Sequence, residues 1–315
     1  MSGSTDAAFR RQAVRFGAEA VVSEMVAGEA LASARPDMVR RTCRHEGKGR
    51  WIVQLAARKP EDMRAGAGLM AEAGVDQIDI NMGCPARQVT GGQSGSALMR
   101  EPELAQAIID AALEGAGDRP VSLKMRLGWD DTTLNAPEIA RYAERAGICM
   151  ITVHGRTRCQ FYKGTASWSA IRDTVDSVSL PVLANGDIDG AASAFDALAQ
   201  SGAEGVMIGR AAMGRPWILG AVSAALRGES FDTPDRQTQL DSLLEQIEDS
   251  LTLYGARLGA RIVRKHISAA IAHLDADWAD AERRETRALV CQIPDAERLI
   301  GILRDIYLEE RSLAA

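Results

Sequence analysis

The chain has 315 residues, 46% of them apolar and 25% charged, with a formal net charge of −6 at pH 7. This length fits one large domain plus a small one, and the composition is that of an ordinary globular protein, not a disordered or fibrous one. With no run of 18 uncharged apolar residues and no charged-then-apolar leader, neither membrane insertion nor secretion is expected. The net acidity gives no global attraction for nucleic acid, so a polyanion would have to meet a local basic face.

Residues 1–6 read as a strand-to-helix loop, and a helix is expected over residues 7–17. Up to about residue 225, apolar runs alternate with helical patterns. Strands are expected at 20–26, 51–56, 75–81, 121–126, 150–154, 182–185 and 205–208, and helices at 60–73, 102–113, 136–146 and 191–201. Each helix closes near a glycine: Gly74, Gly115, Gly147 and Gly202. Strand, helix and strand at this spacing mean parallel βα units. Seven strands are visible where a (β/α)₈ barrel has eight, and the deficit is at the start. An upstream segment supplying the first strand is expected, because the second would otherwise expose an unpaired edge.

Beyond Arg227 the strands vanish and helical periods run over 235–254, 257–274, 280–291 and 294–310. Thr233-Pro234 is expected to cap the first of these, with the proline at its first position. The fold class expected is therefore α/β, a TIM (β/α)₈ barrel lacking its first strand in this chain, followed by an all-helical domain. The expected division is 1–228 for the barrel, 229–237 for a linker and 238–315 for the helical domain.

Five cysteines (Cys43, Cys84, Cys149, Cys159, Cys291) form no C-x-x-C pair, and the four histidines are scattered. That pattern suits a reducing, cytoplasmic setting and speaks against a metal site. Cys84 stands out because it ends the segment Asp79-Ile80-Asn81-Met82-Gly83-Cys84-Pro85 at a turn. Two readings are open: a small apolar filler, or a thiol offered at the end of a strand to give or take a proton. The reacting groups of a barrel sit at its strands' C-terminal ends, which here carry Gln54, Asn81, Cys84, Lys124, Arg126, His154, Arg156, Asn185-Gly186-Asp187 and Gly209-Arg210. The last two motifs follow the seventh and eighth strands and fit a phosphate-bearing ligand, although a Gly-Asp turn alone is weak evidence. Lys124 and Arg126 share one face of a strand that should be buried on both sides, so they need an anionic or electron-rich partner.

Ile80-Asn81-Met82-Gly83-Cys84-Pro85, Lys124-Met125-Arg126, the run from His154 to Gly164, Asn185-Gly186-Asp187 and Ile208-Gly209-Arg210 together resemble the tRNA-dihydrouridine synthases. The similarity is greatest to the bacterial B-type, or nitrogen-regulation-protein-3-like, branch, and it spans Met1 to about residue 310. The resemblance implies an FMN-dependent TIM-barrel oxidoreductase that reduces particular tRNA uridines with NADPH and carries a helical tRNA-binding domain. It assigns Gln54 and Lys124 to the isoalloxazine. His154, with the backbones of Asn185, Gly186, Asp187, Gly209 and Arg210, is assigned to the phosphate side, and Met1 and Ser2 to a flavin loop. Asn81 and Arg126 would hold the uracil edge, and Cys84 would be the general acid that protonates C5 after hydride reaches C6. A monomer is expected.

Three departures from the family pattern stand out. The proline before Met1 and the first strand are missing, Gln88 stands where a lysine is common (Arg87 keeps its charge), and Ser268-Ala269-Ala270 replaces aromatics after Lys265-His266.

Arg257, Arg261 and Arg264 lie at i, i+4 and i+7, and no acid occurs between Leu251 and Leu274. The stripe is either a solvated face or a phosphate-binding one. Arg156, Arg158 and Lys163, with Phe161 and Tyr162 between them, form a second basic-aromatic run that could hold an extruded nucleotide. Two other readings stay open at this point: a flavin-barrel oxidoreductase acting on a free pyrimidine, and an RNA-binding or regulatory protein without flavin.

Overall fold

A computed structural model of the chain describes residues 3–86, 89 and 94–309. The described residues form two compact units. One spans Ala20–Arg44 and Gly49–Gly209; the other comprises the residues up to Glu19, His45–Lys48 and those from Arg210 onward.

The first unit is built on a wholly parallel sheet of eight strands: β1 (Ala20–Val22), β2 (Val26–Ala27), β3 (Arg50–Ala56), β4 (Gln77–Met82), β5 (Val121–Arg126), β6 (Met150–His154), β7 (Val182–Asn185) and β8 (Gly205–Met207). The spatial order is β1-β3-β4-β5-β6-β7-β8, with β2 also paired to β3. β1 and β2 are two pieces of the single strand expected at 20–26. Val22 pairs with Ile52 and Val26 with Leu55, so three residues face two and the ladder bulges. Ser23 fills the gap: its Oγ accepts the Gln54 backbone N–H at 3.0 Å and donates to the Glu24 carbonyl at 2.8 Å. Among the described residues no strand joins β8 to β1, so the sheet is a TIM-barrel-like arc.

The register sets the heights of the polar side chains. Gln54 pairs with Asp79, which pairs with Ser122. Asn81 pairs with Lys124, and Arg126, His154 and Asn185 follow one another across β5, β6 and β7. Apolar side chains alternate with these along β4 and β5, and Ile78, Ile80, Leu123 and Met125 are all fully buried, as the middle of a parallel sheet requires.

The crossover helices include Pro60–Glu72, Pro102–Ala116, Ala136–Ala146 and Ala191–Ser201. Gly115 does not close the second, as expected from sequence, but lies inside it, and Gly117 at φ +58° ends it. The reason is a close approach between helices: a Cβ on Gly115 would lie 2.2 Å from the carbonyl oxygen of Arg64.

The second unit is helical. Arg236–Tyr254, Ala256–His273, Asp280–Val290 and Ala296–Leu308 bury Leu243, Ile247, Val263, Ile267, Leu303 and Ile306 in one core at helical spacing. The first of these helices is capped by Asp235, whose carboxylate accepts from the Thr238 N–H at 2.8 Å, and not by Thr233. Arg283 closes the second helix by donating to the carbonyls of Ile271 (3.0 Å) and Leu274 (2.7 Å). Ala7–Arg15 joins this unit, because Arg11 and Arg15 pair with Asp249 and Glu245 at 2.7 and 2.8 Å and Ser242 donates to Gln12. The compact units thus divide the chain otherwise than at residues 229–237. No helix of the described residues is long and apolar enough to cross a membrane.

Gly115 and its neighbour Gly68 should respond oppositely to alanine. Gly115→Ala forces the two helices apart and should cost about 1–3 kcal/mol. A Cβ on Gly68 would meet nothing nearer than the Gly115 carbonyl oxygen at 3.7 Å. Gly68→Ala should therefore gain about 0.5–1 kcal/mol from helix propensity. Thermal unfolding of both variants checks the pair of signs.

Candidate active site

A column of polar side chains runs through the ends of β3, β4 and β5. The Asp79 carboxylate, on a residue only 2% exposed, accepts from Ser122 Oγ at 2.6 Å and from Gln54 Nε2 at 2.7 Å. Gln54 Oε1 accepts from Asn81 Nδ2 at 2.7 Å, and Asn81 Oδ1 accepts the backbone N–H groups of Gly83 (3.2 Å) and Cys84 (3.0 Å). The turn carrying Cys84 is thereby tied to three strands. Ser96 holds its far side, with Oγ and N donating to the Cys84 carbonyl at 2.8 and 3.1 Å. The Cys84 thiol itself is half-buried. Burial pushes Asp79 up to about 6, against the hydrogen bonds from Ser122 and Gln54 and the nearby Lys124 charge.

Two cations stand above this column. Lys124 Nζ donates to Asn185 Oδ1 at 3.0 Å, and Asn185 Nδ2 donates to the Met207 carbonyl at 2.8 Å. Burial pushes Lys124 down to about 8; Asp79 works against that shift and Arg126 with it. Arg126, 2% exposed, donates Nε to the Gly83 carbonyl at 2.8 Å and Nη1 to the carbonyls of Thr157 (2.8 Å) and Phe161 (2.9 Å). The Tyr162 ring lies 5.6 Å from its guanidinium carbon. Burial lowers Arg126 to about 10, so it remains charged at neutral pH. Its Nη2 has no hydrogen bond among the described residues.

The loop after β6 is organised by Arg156, again 2% exposed. It donates to both carboxylate oxygens of Asp187 and to the carbonyls of Lys163 (3.1 Å) and Gly164 (2.7 Å). Its Nη1 also lies 3.3 Å from His154 Nε2. A guanidinium only donates, so that ring nitrogen accepts and the imidazole proton sits on Nδ1. Arg156, expected to touch substrate, is thus committed to holding its own loop. Asp187, at φ +55°, reaches left-handed backbone that aspartate tolerates. Gly186, at φ +114°, has no room for a Cβ, which would lie 2.8 Å from the Ala166 side chain. Arg158 is half-buried, its guanidinium carbon 4.5 Å from the Trp129 ring and 4.7 Å from Phe161.

The sheet therefore gathers Gln54, Asn81, Cys84, Lys124, Arg126, His154, Asn185, Gly186 and Asp187 at one end of its strands. Gly209 follows β8, and Arg210 begins the helical unit. In that unit Arg257 and Arg261 are exposed, while Arg264 is half-buried, its Nε enclosed and without a hydrogen bond among the described residues. Met1 and Ser2, as well as Arg87 and Gln88, lie outside the described residues. Asp79 and Ser122 were missed from sequence. The signal was there, an acid between two isoleucines in a buried strand, but neither the hydroxyl nor the amide that stabilises it is near in the chain.

Fold and site define an enzyme of the parallel βα-barrel class, with its polar groups at the C-terminal ends of the strands. The profile of the family described as dihydrouridine synthase (Dus) matches residues 1–297. A probable tRNA-dihydrouridine synthase of Rhodobacter capsulatus is 46% identical over 99% of this chain and 94% of its own length. The tRNA-dihydrouridine synthases B of Xanthomonas axonopodis pv. citri and Pseudomonas aeruginosa are 42% and 38% identical, over 98% and 99% of this chain and 91% and 92% of theirs. The chain belongs to the dihydrouridine synthase family, and the resemblance carried by its five motifs is borne out.

Lys124 predicts a pH signature. A lysine whose folded pKa is depressed loses stability as pH falls from about 10.5 to about 8, because the unfolded chain takes up the proton first. Lys124→Met has no such loss. Its stability relative to wild type should rise by on the order of 1–3 kcal/mol across that window and stay level below it. Thermal unfolding of cofactor-free protein at a series of pH values checks this.

Proposed function

We propose that this chain reduces specific uridines of tRNA to 5,6-dihydrouridine, with FMN as cofactor and NADPH as reductant. Family membership supports the reaction class, and one observation carries the reading to residues: the turn that bears Cys84 is fixed by Asn81 at the Cys84 N–H and by the buried Arg126 guanidinium at the Gly83 carbonyl. A flavin suits the donor set. Lys124 bears a positive charge that burial leaves poorly solvated, which favours an electron-accepting ring. Gln54 Nε2 keeps a second proton to offer, and Gly186 and Gly209 carry no side chain that would hold a phosphate away from the backbone.

In this reading Gln54 and Lys124 face the isoalloxazine, and Met1 and Ser2 contact it as the resemblance implies. His154 and the backbone of Asn185, Gly186, Asp187, Gly209 and Arg210 hold the phosphate side. The chemistry that bound FMN supplies is hydride delivery to C6 of uracil. Arg126, through Nη2, and the second Nδ2 proton of Asn81 stabilise the negative charge that builds on the uracil carbonyl; both are pre-oriented by bonds already made. Cys84 holds the proton that C5 takes up. Arg156 acts through the loop it holds, and Arg158, packed against Trp129 and Phe161, would hold the extruded nucleotide. The helical region, 238–315 in the sequence division, would bind tRNA through Arg257 and Arg261, with Arg264 at the end of the stripe.

Cys84→Ala should keep FMN and its reduction by NADPH, yet slow tRNA-dependent flavin oxidation by ~10²–10⁴-fold, the usual worth of a positioned acid. Stopped-flow measurement of the two half-reactions checks this; oxidation at the wild-type rate removes Cys84 from its role.

Replacing Arg257 and Arg261 together with alanine should weaken tRNA binding at low salt. The log–log salt slope should fall by about 0.7–0.9 for each phosphate that the protein no longer neutralises. Flavin reduction by NADPH should not change. A filter-binding titration across salt concentrations decides it, and an unaltered slope would leave the stripe a solvated face.

A further inference from the structure

The proposed chemistry leaves Asp79 without a role. It sits in the middle of β4, 2% exposed, where an ionised carboxylate is costly and an apolar residue would serve the fold better. Its hydrogen-bond partners are neutral groups, Gln54 Nε2 and Ser122 Oγ, not a guanidinium or ammonium group. What the carboxylate adds is direction. Ionised, it only accepts, so Gln54 must turn its NH₂ toward Asp79 and its Oε1 toward Asn81. Oε1 then accepts from Asn81 Nδ2, which forces Asn81 Oδ1 toward the N–H groups of Gly83 and Cys84. Side-chain amides have no intrinsic preference between their two ends and take their orientation from their partners. The Gly83 and Cys84 N–H groups only donate, so they set the same direction from the far end as Asp79 sets from the base. Without an acceptor at the base, Gln54 Nε2 is left buried and unpaired, and Gln54 no longer holds Asn81 in place.

We propose that Asp79 is a positioning residue for Cys84: through the Gln54 and Asn81 amides, its carboxylate fixes the turn on which the thiol is carried. This rests on the reading of Cys84 as the acid. The register supports it independently, since Asp79 is paired with Gln54 on one side and Ser122 on the other.

Two substitutions separate direction from charge. In Asp79→Asn the amide can keep its oxygen toward Gln54, while the Ser122 hydroxyl turns to accept from the new NH₂, so the column keeps its direction. Asp79→Leu fills the site but offers no acceptor. Both remove the same charge near Lys124. The leucine variant should retain FMN reduction by NADPH and slow tRNA-dependent oxidation on the order of 10–100-fold, the scale of an ångström-sized misplacement. The asparagine variant should stay close to wild type. Alkylation of Cys84 by iodoacetamide, followed by peptide mass spectrometry with Cys159 as internal reference, should be faster in the leucine variant alone.

Equal loss in both variants would assign the effect to charge and overturn the proposal, as would wild-type behaviour of a folded leucine variant. Should the leucine variant fail to fold, Gln54→Leu cuts the column one link further on. It should speed Cys84 alkylation too, and an unchanged rate there overturns the proposal by itself. If wild-type protein leaves tRNA unreduced, the proposed function fails, while the alkylation series still decides the positioning role.

Discussion

A carboxylate shut between parallel strands must find donors, and those available to Asp79 are set by the register of β3 and β5 on either side of it. The hydroxyl of Ser122 and the amide of Gln54 satisfy it, and satisfying it fixes the next amide and the backbone beyond. The geometry at Cys84 therefore descends from strand pairing, not from the turn's own preferences. A slip of one residue in either ladder would turn Asp79 or its partners to the opposite face and leave several buried polar groups unpaired at once.

The same economy governs the cations. Buried arginines need acceptors, and at these strand ends the acceptors are loop carbonyls. Arg126 ties the turn after β4 to the loop after β6, through Gly83 on one side and Thr157 and Phe161 on the other. Arg156 ties that loop to itself and to Asp187. Arg126 keeps its positive charge in a poorly hydrated place, where a charge acts on a neighbour far more strongly than in water. An anionic transition state formed there meets dipoles and charges already aligned, which is the condition for electrostatic catalysis.

Stability and chemistry pull against each other at this end of the sheet. Burial raises Asp79 to about 6 and lowers Lys124 to about 8, so each is held ionised at neutral pH at some cost to the folded state. The remainder of the first unit compensates with unbroken apolar packing: Leu55, Ile78, Ile80, Met82, Leu123 and Met125 are all fully buried. Perturbed carboxylates and amines of this sort concentrate where proteins do chemistry.

Much of the first unit was legible in the sequence, because a parallel βα unit writes itself twice, as an apolar run and as a helix closed by glycine. Strands β3 to β8 and four crossover helices fall within a few residues of expectation for that reason. The strand at 20–26 was not legible as two, since the bulge depends on Ser23 meeting the Gln54 N–H from another strand. Gly115 looked like a helix stop because the carbonyl of Arg64 that excludes its side chain lies on a different helix. Motif order identified the family and singled out Cys84, Lys124 and Arg126, whose side-chain chemistry is intrinsic to the residue. The sequence by itself thus determined which chemical groups the strand ends carry. Only the tertiary structure decided which of them are spent on neighbours, because the hydrogen bonds that commit Arg156 to Asp187, or aim Asn81 at Cys84 by way of Asp79, join residues that the folded strands bring together.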